Sequence, residues 1–175
     1  MKNKLFIYVP IAILFCVIGV YFNLQRLTPS APKTPAVANL FARQMVEATG
    51  KPEDISHWRG KPLIVNFWAT WCGPCVEEMP ELNALRSELI KKDIHIIGVG
   101  IDSQDAIAKF AEKYKITYPL YVAGTDGTSL LAQFGNGAGG LPFTVLIGTD
   151  GQVKKTYLGS IKFDELRKDL SLLQP

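Results

Sequence analysis

The chain has few of the residues that build disulfide frameworks and metal sites. It contains three cysteines and two histidines among 175 residues. Three cysteines cannot form a framework, and only Cys72 and Cys75 are close enough in sequence to form a local pair, since Cys16 falls in a long apolar segment. A zinc site on this pair would need two further ligands, and the candidates His57 and His95 are not in ligand spacing. We therefore expect no metal site.

The chain also lacks a cluster of basic residues. Its formal net charge is +3, but Lys2 and Lys4 precede the first apolar segment, and the remainder carries 17 basic and 16 acidic side chains. This near balance gives none of the positive surface that nucleic-acid-binding proteins need. We therefore exclude nucleic acid as a partner.

One long stretch lacks charge altogether. Residues 5–22 contain no charged side chain, and a helix of that length would extend about 27 Å, just enough to cross a bilayer core. Lys2 and Lys4 stand before the stretch, and Arg26 is the first charged residue after it. The positive-inside rule then places the N-terminus in the cytoplasm and the rest of the chain outside.

A cleaved signal peptide is the alternative interpretation of this stretch. The apolar run is long for a signal peptide, and the small-residue triplet at 36–38 lies well beyond its end. We therefore predict an uncleaved transmembrane anchor over residues 1–23. A proline-rich tether over residues 24–36 should follow, as a semi-extended spacer that holds the folded part off the membrane.

Residues 37–175 are predicted to form one domain in which strands and helices alternate. Such alternation, followed by a hairpin and a final helix, indicates an α/β sheet that is covered on both faces. The predicted strands are a short edge strand over 40–46 and further strands over 63–68, 94–101, 118–122, 143–147 and 153–158; the predicted helices cover 74–90, 129–134 and 163–173, with another that begins at 102–103.

The pair of cysteines stands where the strand over 63–68 turns into the helix over 74–90. Two thiols separated by two residues lie one helical turn apart and can close a small disulfide ring. The helix N-terminus favours a thiolate, so Cys72 is predicted to be the nucleophile. Cys75, further into the helix, should be more buried and should resolve the mixed disulfide. A purely structural disulfide here would close too short a loop to stabilise much.

The segment Asn66–Cys75, with the sequence NFWATWCGPC, and the Glu-Glu-Met-Pro that follows at 77–80 resemble the TlpA/ResA group of membrane-tethered thioredoxin-like reductases. The cytochrome c maturation proteins CcmG/DsbE are close relatives of that group. The resemblance covers about residues 36–172 and implies a thioredoxin fold, with a central mixed sheet flanked by helices. It implies Cys72 as the attacking thiol and Cys75 as the resolving thiol, with no cofactor beyond their redox-active disulfide.

The resemblance also implies a place in the cell and partners. It suggests a domain on the periplasmic side of a bacterial inner membrane that reduces disulfides in envelope client proteins. Candidate clients are apocytochrome c, the copper-site thiols of a respiratory oxidase, or other envelope proteins. The electron donor would be a transmembrane thiol relay of the DsbD/CcdA kind.

A proline loop is the second part of the implied site. The segment Gly139–Thr144 is similar to the family's loop with a cis proline that faces the dithiol, which makes Pro142 the cis proline. In the family, the backbone that corresponds to Leu141 pairs with an extended client segment. The alternative is an ordinary trans proline. We also expect Trp71 to form part of the contact surface around Cys72.

The chain departs from its relatives at two positions. Thioredoxin has a buried aspartate where this chain has Asn66, which cannot titrate. Glu78, three residues after Cys75, is the candidate that takes the proton of the resolving thiol; alternatively, Glu77 and Glu78 are solvated acids that stabilise the helix N-terminus. The cytochrome-maturation branch usually has an acid after the cis proline, where this chain has Phe143.

Two other functions stay open at this point. The protein could be a thiol oxidant or isomerase, or a non-enzymatic module that holds a metal on the dithiol. The Gly-Pro pair between the cysteines favours a reductant, because thioredoxin has the same dipeptide and a reduction potential of about −270 mV.

Overall fold

The computed structural model describes residues 14, 17–19 and 36–173. Residues 14 and 17–19 are helical, and the rest of the predicted anchor and tether, up to residue 35, lies outside the described residues. Within the described ranges, no helix is both long enough and apolar enough to cross a membrane.

A seven-stranded mixed sheet forms the centre of the fold, with the strand order β2-β1-β5-β4-β3-β6-β7. β3 pairs with β4 and β4 with β5 in parallel, and the other pairs are antiparallel. The predicted central mixed sheet is therefore confirmed. The strands are β1 (Gln44–Glu47), β2 (Pro52–Asp54), β3 (Leu63–Trp68), β4 (His95–Gly100), β5 (Leu120–Val122), β6 (Phe143–Ile147) and β7 (Val153–Leu158).

Helices cover both faces of the sheet, because alternate residues of its central strands point to opposite sides. Ile64 and Trp68 of β3 belong to an apolar cluster on one face with side chains of α2, α3 and α5, whereas Val65 and Phe67 belong to a second cluster with α1 and α4. The helices are α1 (Ala36–Phe41), α2 (Gly73–Ile90), α3 (Gln104–Tyr114), α4 (Gly127–Gln133) and α5 (Phe163–Asp169), with short 3₁₀ turns at Ile55–Trp58, Gly124–Asp126 and Leu170–Leu173.

The predicted edge strand over 40–46 is wrong in two respects. Leu40 and Phe41 end helix α1, and the strand covers Gln44–Glu47. Ala36 and Leu40, four residues apart, are both buried on one side of a helix, which is the helical period rather than the strand period. At this edge of the sheet the outermost strand is β2, which begins at Pro52. An edge strand tolerates proline because one of its sides has no neighbouring strand to which an N–H must donate.

Candidate active site

Cys72 and Cys75 are joined by a disulfide at the N-terminus of α2, and their Cα atoms are 5.3 Å apart. Cys72 is the N-cap residue of this helix, and its Sγ accepts a hydrogen bond from the backbone N–H of Cys75 at 3.3 Å. After reduction the same N–H and the positive end of the helix would stabilise a thiolate on Cys72. Cys72 is 6% exposed and Cys75 is fully buried, as predicted from their positions in the helix.

An aspartate that follows the neighbouring strand β4 holds the loop that carries the dithiol. The backbone N–H of Thr70 donates to Asp102 Oδ2 at 3.3 Å, and the Thr70 hydroxyl donates to the same oxygen. Burial alone would raise the pKa of Asp102, but hydrogen bonds from Thr70 and Ser103 outweigh burial and lower this pKa. Asp102 was not predicted as a site residue, although an acid soon after the strand next to β3 was a usable signal.

The two tryptophans near the dithiol lie in opposite environments. Trp71, directly before Cys72, is 69% exposed, whereas Trp68, at the end of β3, is fully buried. Trp71 is therefore available at the surface beside the attacking sulfur, and its role in client contact stays a prediction. Trp68 packs in the core on the α2 side of the sheet.

The proline loop lies next to the end of the strand that leads to the dithiol. The Leu141–Pro142 peptide bond is cis, so the predicted cis proline is confirmed and the trans alternative is wrong. Phe143 pairs with Phe67 near the end of β3, and the carbonyl of Pro142 accepts a hydrogen bond from Gly159 N–H at 2.9 Å. Leu141 packs against the apolar cluster that contains both cysteines. The pairing of Leu141 with a client stays a prediction.

Glu78 lies about one helical turn after Cys75, on the buried side of α2 rather than on the surface. Its side chain is buried, Oε1 accepts a hydrogen bond from Asn66 Nδ2 at 2.8 Å, and Oε2 accepts one from the backbone N–H of Ile161 at 3.0 Å. Burial raises the pKa of Glu78, partly opposed by the hydrogen bonds from Ile161 and Asn66. The solvated alternative is therefore wrong for Glu78, while Glu77 is exposed. Proton transfer by Glu78 stays a prediction.

Further buried polar groups surround the Glu78 carboxylate. Asn66 Nδ2 also donates to Thr144 Oγ1 at 2.9 Å. Asn66 Oδ1, Trp68 Nε1 and the Tyr118 hydroxyl are buried and have no hydrogen-bond partner in the described part of the chain. Burial and the nearby charge of Glu78 raise the pKa of Tyr118. The Glu78 carboxylate therefore lies among buried groups, with hydrogen bonds from Asn66 and Ile161 that only partly offset the effect of burial on its pKa. Thr144 and Tyr118 were not predicted as site residues.

The two histidines lie at the opposite end of the sheet. His95 begins β4, whereas the dithiol follows the last residue of β3, and the two strands are parallel. A ring nitrogen of His57 is 2.8 Å from the carbonyl oxygen of Asp54, and His95 Nε2 is 3.2 Å from Asp93 Oδ1. No group of three or more His, Cys, Asp or Glu side chains within the described residues could hold a metal ion.

These features together define a thiol–disulfide oxidoreductase with a thioredoxin fold. The site combines a Cys-Gly-Pro-Cys disulfide at a helix N-terminus, a buried acid about one turn further along the same helix, and a cis proline next to the strand that leads to the disulfide. The Redoxin family profile matches residues 30–170, and the chain belongs to the Redoxin family.

Comparisons with individual proteins agree with this assignment. Thiol-disulfide oxidoreductase ResA from Geobacillus thermodenitrificans is 33% identical over 127 residues, which cover 72% of this chain and 71% of the relative. ResA from Bacillus thuringiensis subsp. konkukian is 28% identical over 181 residues, which cover 99% of both chains. The predicted resemblance to the TlpA/ResA group and the predicted oxidoreductase activity are thereby confirmed.

A solved structure extends the agreement to the fold. The structure of a secreted Mycobacterium tuberculosis disulfide oxidoreductase, described as homologous to E. coli DsbE, matches with a TM-score of 0.64 and 21% identity. The match covers 77% of this chain and 98% of that protein. The likeness confirms the thioredoxin-like fold of the described domain.

Proposed function

We propose that this oxidoreductase reduces disulfides in client proteins outside the cytoplasm, on the outer face of a bacterial inner membrane. The observation that carries the exchange chemistry is the asymmetry of the dithiol. Cys72 caps the helix and retains 6% exposure, while Cys75 is fully buried behind it. One sulfur can therefore meet a client, and the other can act only within the protein.

The exchange follows two displacements at sulfur. The Cys72 thiolate attacks one sulfur of the client disulfide, forms a mixed disulfide and expels the other client sulfur as a thiolate. The Cys75 thiol then loses its proton, attacks Cys72 Sγ and releases the second client thiolate. Two electrons pass from the dithiol to the client, whose two sulfurs take up protons, and the Cys72–Cys75 disulfide of the present structure is the product.

Glu78 is the proposed acceptor for the proton of Cys75. The two residues are three positions apart on the buried side of α2, and Glu78 already bears a raised pKa from burial. An acid with such a pKa is better matched to a thiol proton than a solvated carboxylate. The exposed Trp71 and the backbone of Leu141 are the proposed client contacts on the two sides of Cys72.

A reductant outside the cytoplasm needs its own electron supply, because glutathione and thioredoxin do not maintain thiols there. We propose a transmembrane thiol relay of the DsbD/CcdA kind as the donor to the Cys72–Cys75 disulfide. Clients in cytochrome c or respiratory oxidase maturation would fit a dedicated reductant, because their cysteines must be free thiols to bind haem or copper.

The proposed location depends on the predicted uncleaved anchor over residues 1–23. The uncharged stretch over residues 5–22 is what supports it, and the alignment with the B. thuringiensis relative includes this segment, since it spans 99% of both chains. N-terminal sequencing of the protein isolated from membranes tests the anchor. A chain that begins at its original N-terminus supports the anchor, and a chain that begins after residue 38 contradicts it.

A trapping experiment tests the order of attack. In the full chain, Cys75→Ser leaves Cys72 able to attack but removes the thiol that resolves the mixed disulfide, so clients should accumulate as dithiothreitol-sensitive adducts. Cys72→Ser is the matched control and should trap few or none. Adducts that depend on Cys75 in the absence of Cys72 would reverse the assigned roles.

The direction of exchange has a separate measurement. Equilibration of the dithiol with a redox buffer gives its reduction potential. A value near that of thioredoxin, about −270 mV, supports the reductant, and a value near about −120 mV identifies an oxidant and contradicts the proposal.

A further inference from the structure

A buried asparagine holds the segment just before the cis proline. Asn136 lies between α4 and β6 and is only 3% exposed, although its side chain is polar. Its Nδ2 donates to the carbonyl oxygen of Gly140 at 2.7 Å, and its Oδ1 accepts from the N–H of the same Gly140 at 3.1 Å. One side-chain amide thus binds both polar groups of one backbone residue.

The segment between these two residues has little else to fix it. Residues 137–139 are Gly-Ala-Gly and are exposed, so they have no long side chain to pack. Gly139 has a φ of +69°, and its N–H donates to the Asn136 carbonyl at 3.2 Å. Asn136 is itself fixed, because its backbone N–H donates to Leu131 O at 2.9 Å. The asparagine therefore connects the loop to helix α4.

Leu141 is the residue that this arrangement orients. Gly140 precedes it and is bound by Asn136, while Pro142 follows it and is bound through its carbonyl to Gly159 at 2.9 Å. Leu141 itself forms no hydrogen bond within residues 36–173. Its peptide groups are thus held in place from both sides and are left available for an extended partner. Such pre-orientation lowers the entropic cost of binding.

We propose that Asn136 is a positioning residue for client recognition, which acts by fixing Gly140 so that the Leu141 backbone can pair with an extended client segment. The inference rests on the proposed function, since it assigns how that function selects protein disulfides over small ones. A small disulfide has no peptide backbone to pair, and its reaction with Cys72 should not depend on this loop.

Two substrates and three variants test the proposal on the full-length protein. Asn136→Ala removes both bonds to Gly140, and Asn136→Asp retains the acceptor but loses the donor. The control is Asn83→Ala, because the Asn83 side chain also bonds to the backbone through both of its polar atoms. Its Nδ2 donates to Lys115 O at 3.2 Å, and its Oδ1 accepts from Thr117 N–H at 2.8 Å. It lies on α2 far along the chain from the proline loop.

The assay compares kcat/KM for reduction of insulin with kcat/KM for reduction of bis(hydroxyethyl) disulfide, with dithiothreitol present to reduce the Cys72–Cys75 disulfide after each turnover and its uncatalysed rate subtracted. Asn136→Ala should lower the value for insulin by about tenfold or more, mainly through KM, with at most about a twofold change for the small disulfide. The kcat/KM of Asn136→Asp for insulin should lie between the values for Asn136→Ala and the parent. Asn83→Ala should leave the ratio of the two values unchanged.

Three results would overturn the proposal. If Asn136→Ala lowers kcat/KM equally for both substrates, the residue affects the dithiol itself. If Asn83→Ala lowers kcat/KM for insulin as much as Asn136→Ala does, the effect comes from general stability. If Asn136→Ala lowers neither value, the residue has no role in client recognition. If Asn136→Ala does not fold, Asn136→Asp provides the same comparison. Failure of the parent to reduce insulin at all, with normal reduction of the small disulfide, would instead contradict the proposed function.

Discussion

Substitution of Glu78 by alanine or by glutamine separates two consequences of a buried carboxylate. Alanine removes the acceptor of two buried donors, the Asn66 amide and the Ile161 N–H. Each buried donor left without a partner costs about 1–3 kcal/mol. We therefore expect Glu78→Ala to lower the free energy of unfolding by about 2–6 kcal/mol, with a fall in Tm of roughly 2–4 °C per kcal/mol.

Glutamine should be tolerated better at this position. Its carbonyl oxygen can accept from Ile161 N–H, as Glu78 Oε2 does now. Its amide would face the Asn66 Nδ2 donor, but Asn66 Oδ1 is unpaired, and rotation of the Asn66 amide places that oxygen as an acceptor. The rotation removes Nδ2 from both of its acceptors, Glu78 and Thr144, so one buried donor is left without a partner. Glu78→Gln should then lower the free energy of unfolding by about 1–3 kcal/mol near the pH at which Glu78 is neutral, about half the cost expected for Glu78→Ala.

Titration of Glu78 makes the difference in stability between the parent and Glu78→Gln depend on pH, with a sign that follows from the raised pKa. Burial raises the pKa of Glu78 above its ordinary value of 4.5, against the opposing hydrogen bonds from Ile161 and Asn66. The folded protein therefore holds this proton more tightly than the unfolded chain does. The stability that this tighter proton binding contributes is fully present when the pH is below the ordinary pKa, and it is lost as the pH rises through the raised pKa of the folded protein. Glu78→Gln does not undergo this loss, so its free energy of unfolding should increase relative to that of the parent as the pH rises.

Denaturant unfolding of the oxidised protein at several values between about pH 4 and pH 8 measures both effects. Parallel curves for the parent and Glu78→Gln would refute the raised pKa, and a glutamine variant as unstable as the alanine variant would refute the hydrogen-bond explanation. The same glutamine variant tests proton transfer, because resolution of the mixed disulfide by Cys75 should slow and its pH profile should shift. An unchanged profile would leave Glu78 with a structural role alone.

Two further substitutions test the client surface and the packing of the sheet. Trp71→Ala should lower kcat/KM for a protein disulfide with little change in Tm, since the side chain is 69% exposed; a Tm loss as large as that of a core variant would contradict a surface role. Gly98→Ala should cost about 1–3 kcal/mol, because an added Cβ would lie 2.5 Å from the Leu120 side chain. Gly137→Ala, with open space around it, is the matched control in thermal unfolding.

The dithiol could be predicted from sequence because its chemistry is local. The strand, the helix start and both sulfurs lie within a few residues, so periodicity and spacing determine them. The burial of Glu78 was also within reach, because Cys75, Glu78 and Leu82 share one face of a helix. Glu77, its neighbour with the same side chain, lies on the outer side.

Other parts of the site depend on contacts that no local pattern specifies. Asp102 holds Thr70 across a separation of 32 residues, and Asn66 meets Thr144 across 78. Neither pair can be assigned before the order of strands in the sheet is known. Asn136 is different, since it binds Gly140 only four residues away, but a loop asparagine has many possible local partners and the sequence does not choose among them.

The segment after β7 links the two halves of the site. Gly159 N–H binds the carbonyl of Pro142 in the proline loop, and Ile161 N–H binds the carboxylate of Glu78 on α2. A hydrogen bond to a charged carboxylate is roughly twice as strong as one to a neutral group. Transfer of a proton to Glu78 should therefore weaken its bond to Ile161, two residues from the contact that holds Pro142. If Glu78 takes the proton of Cys75 as proposed, exchange at the dithiol would thus change a hydrogen bond two residues away from the one that holds Pro142.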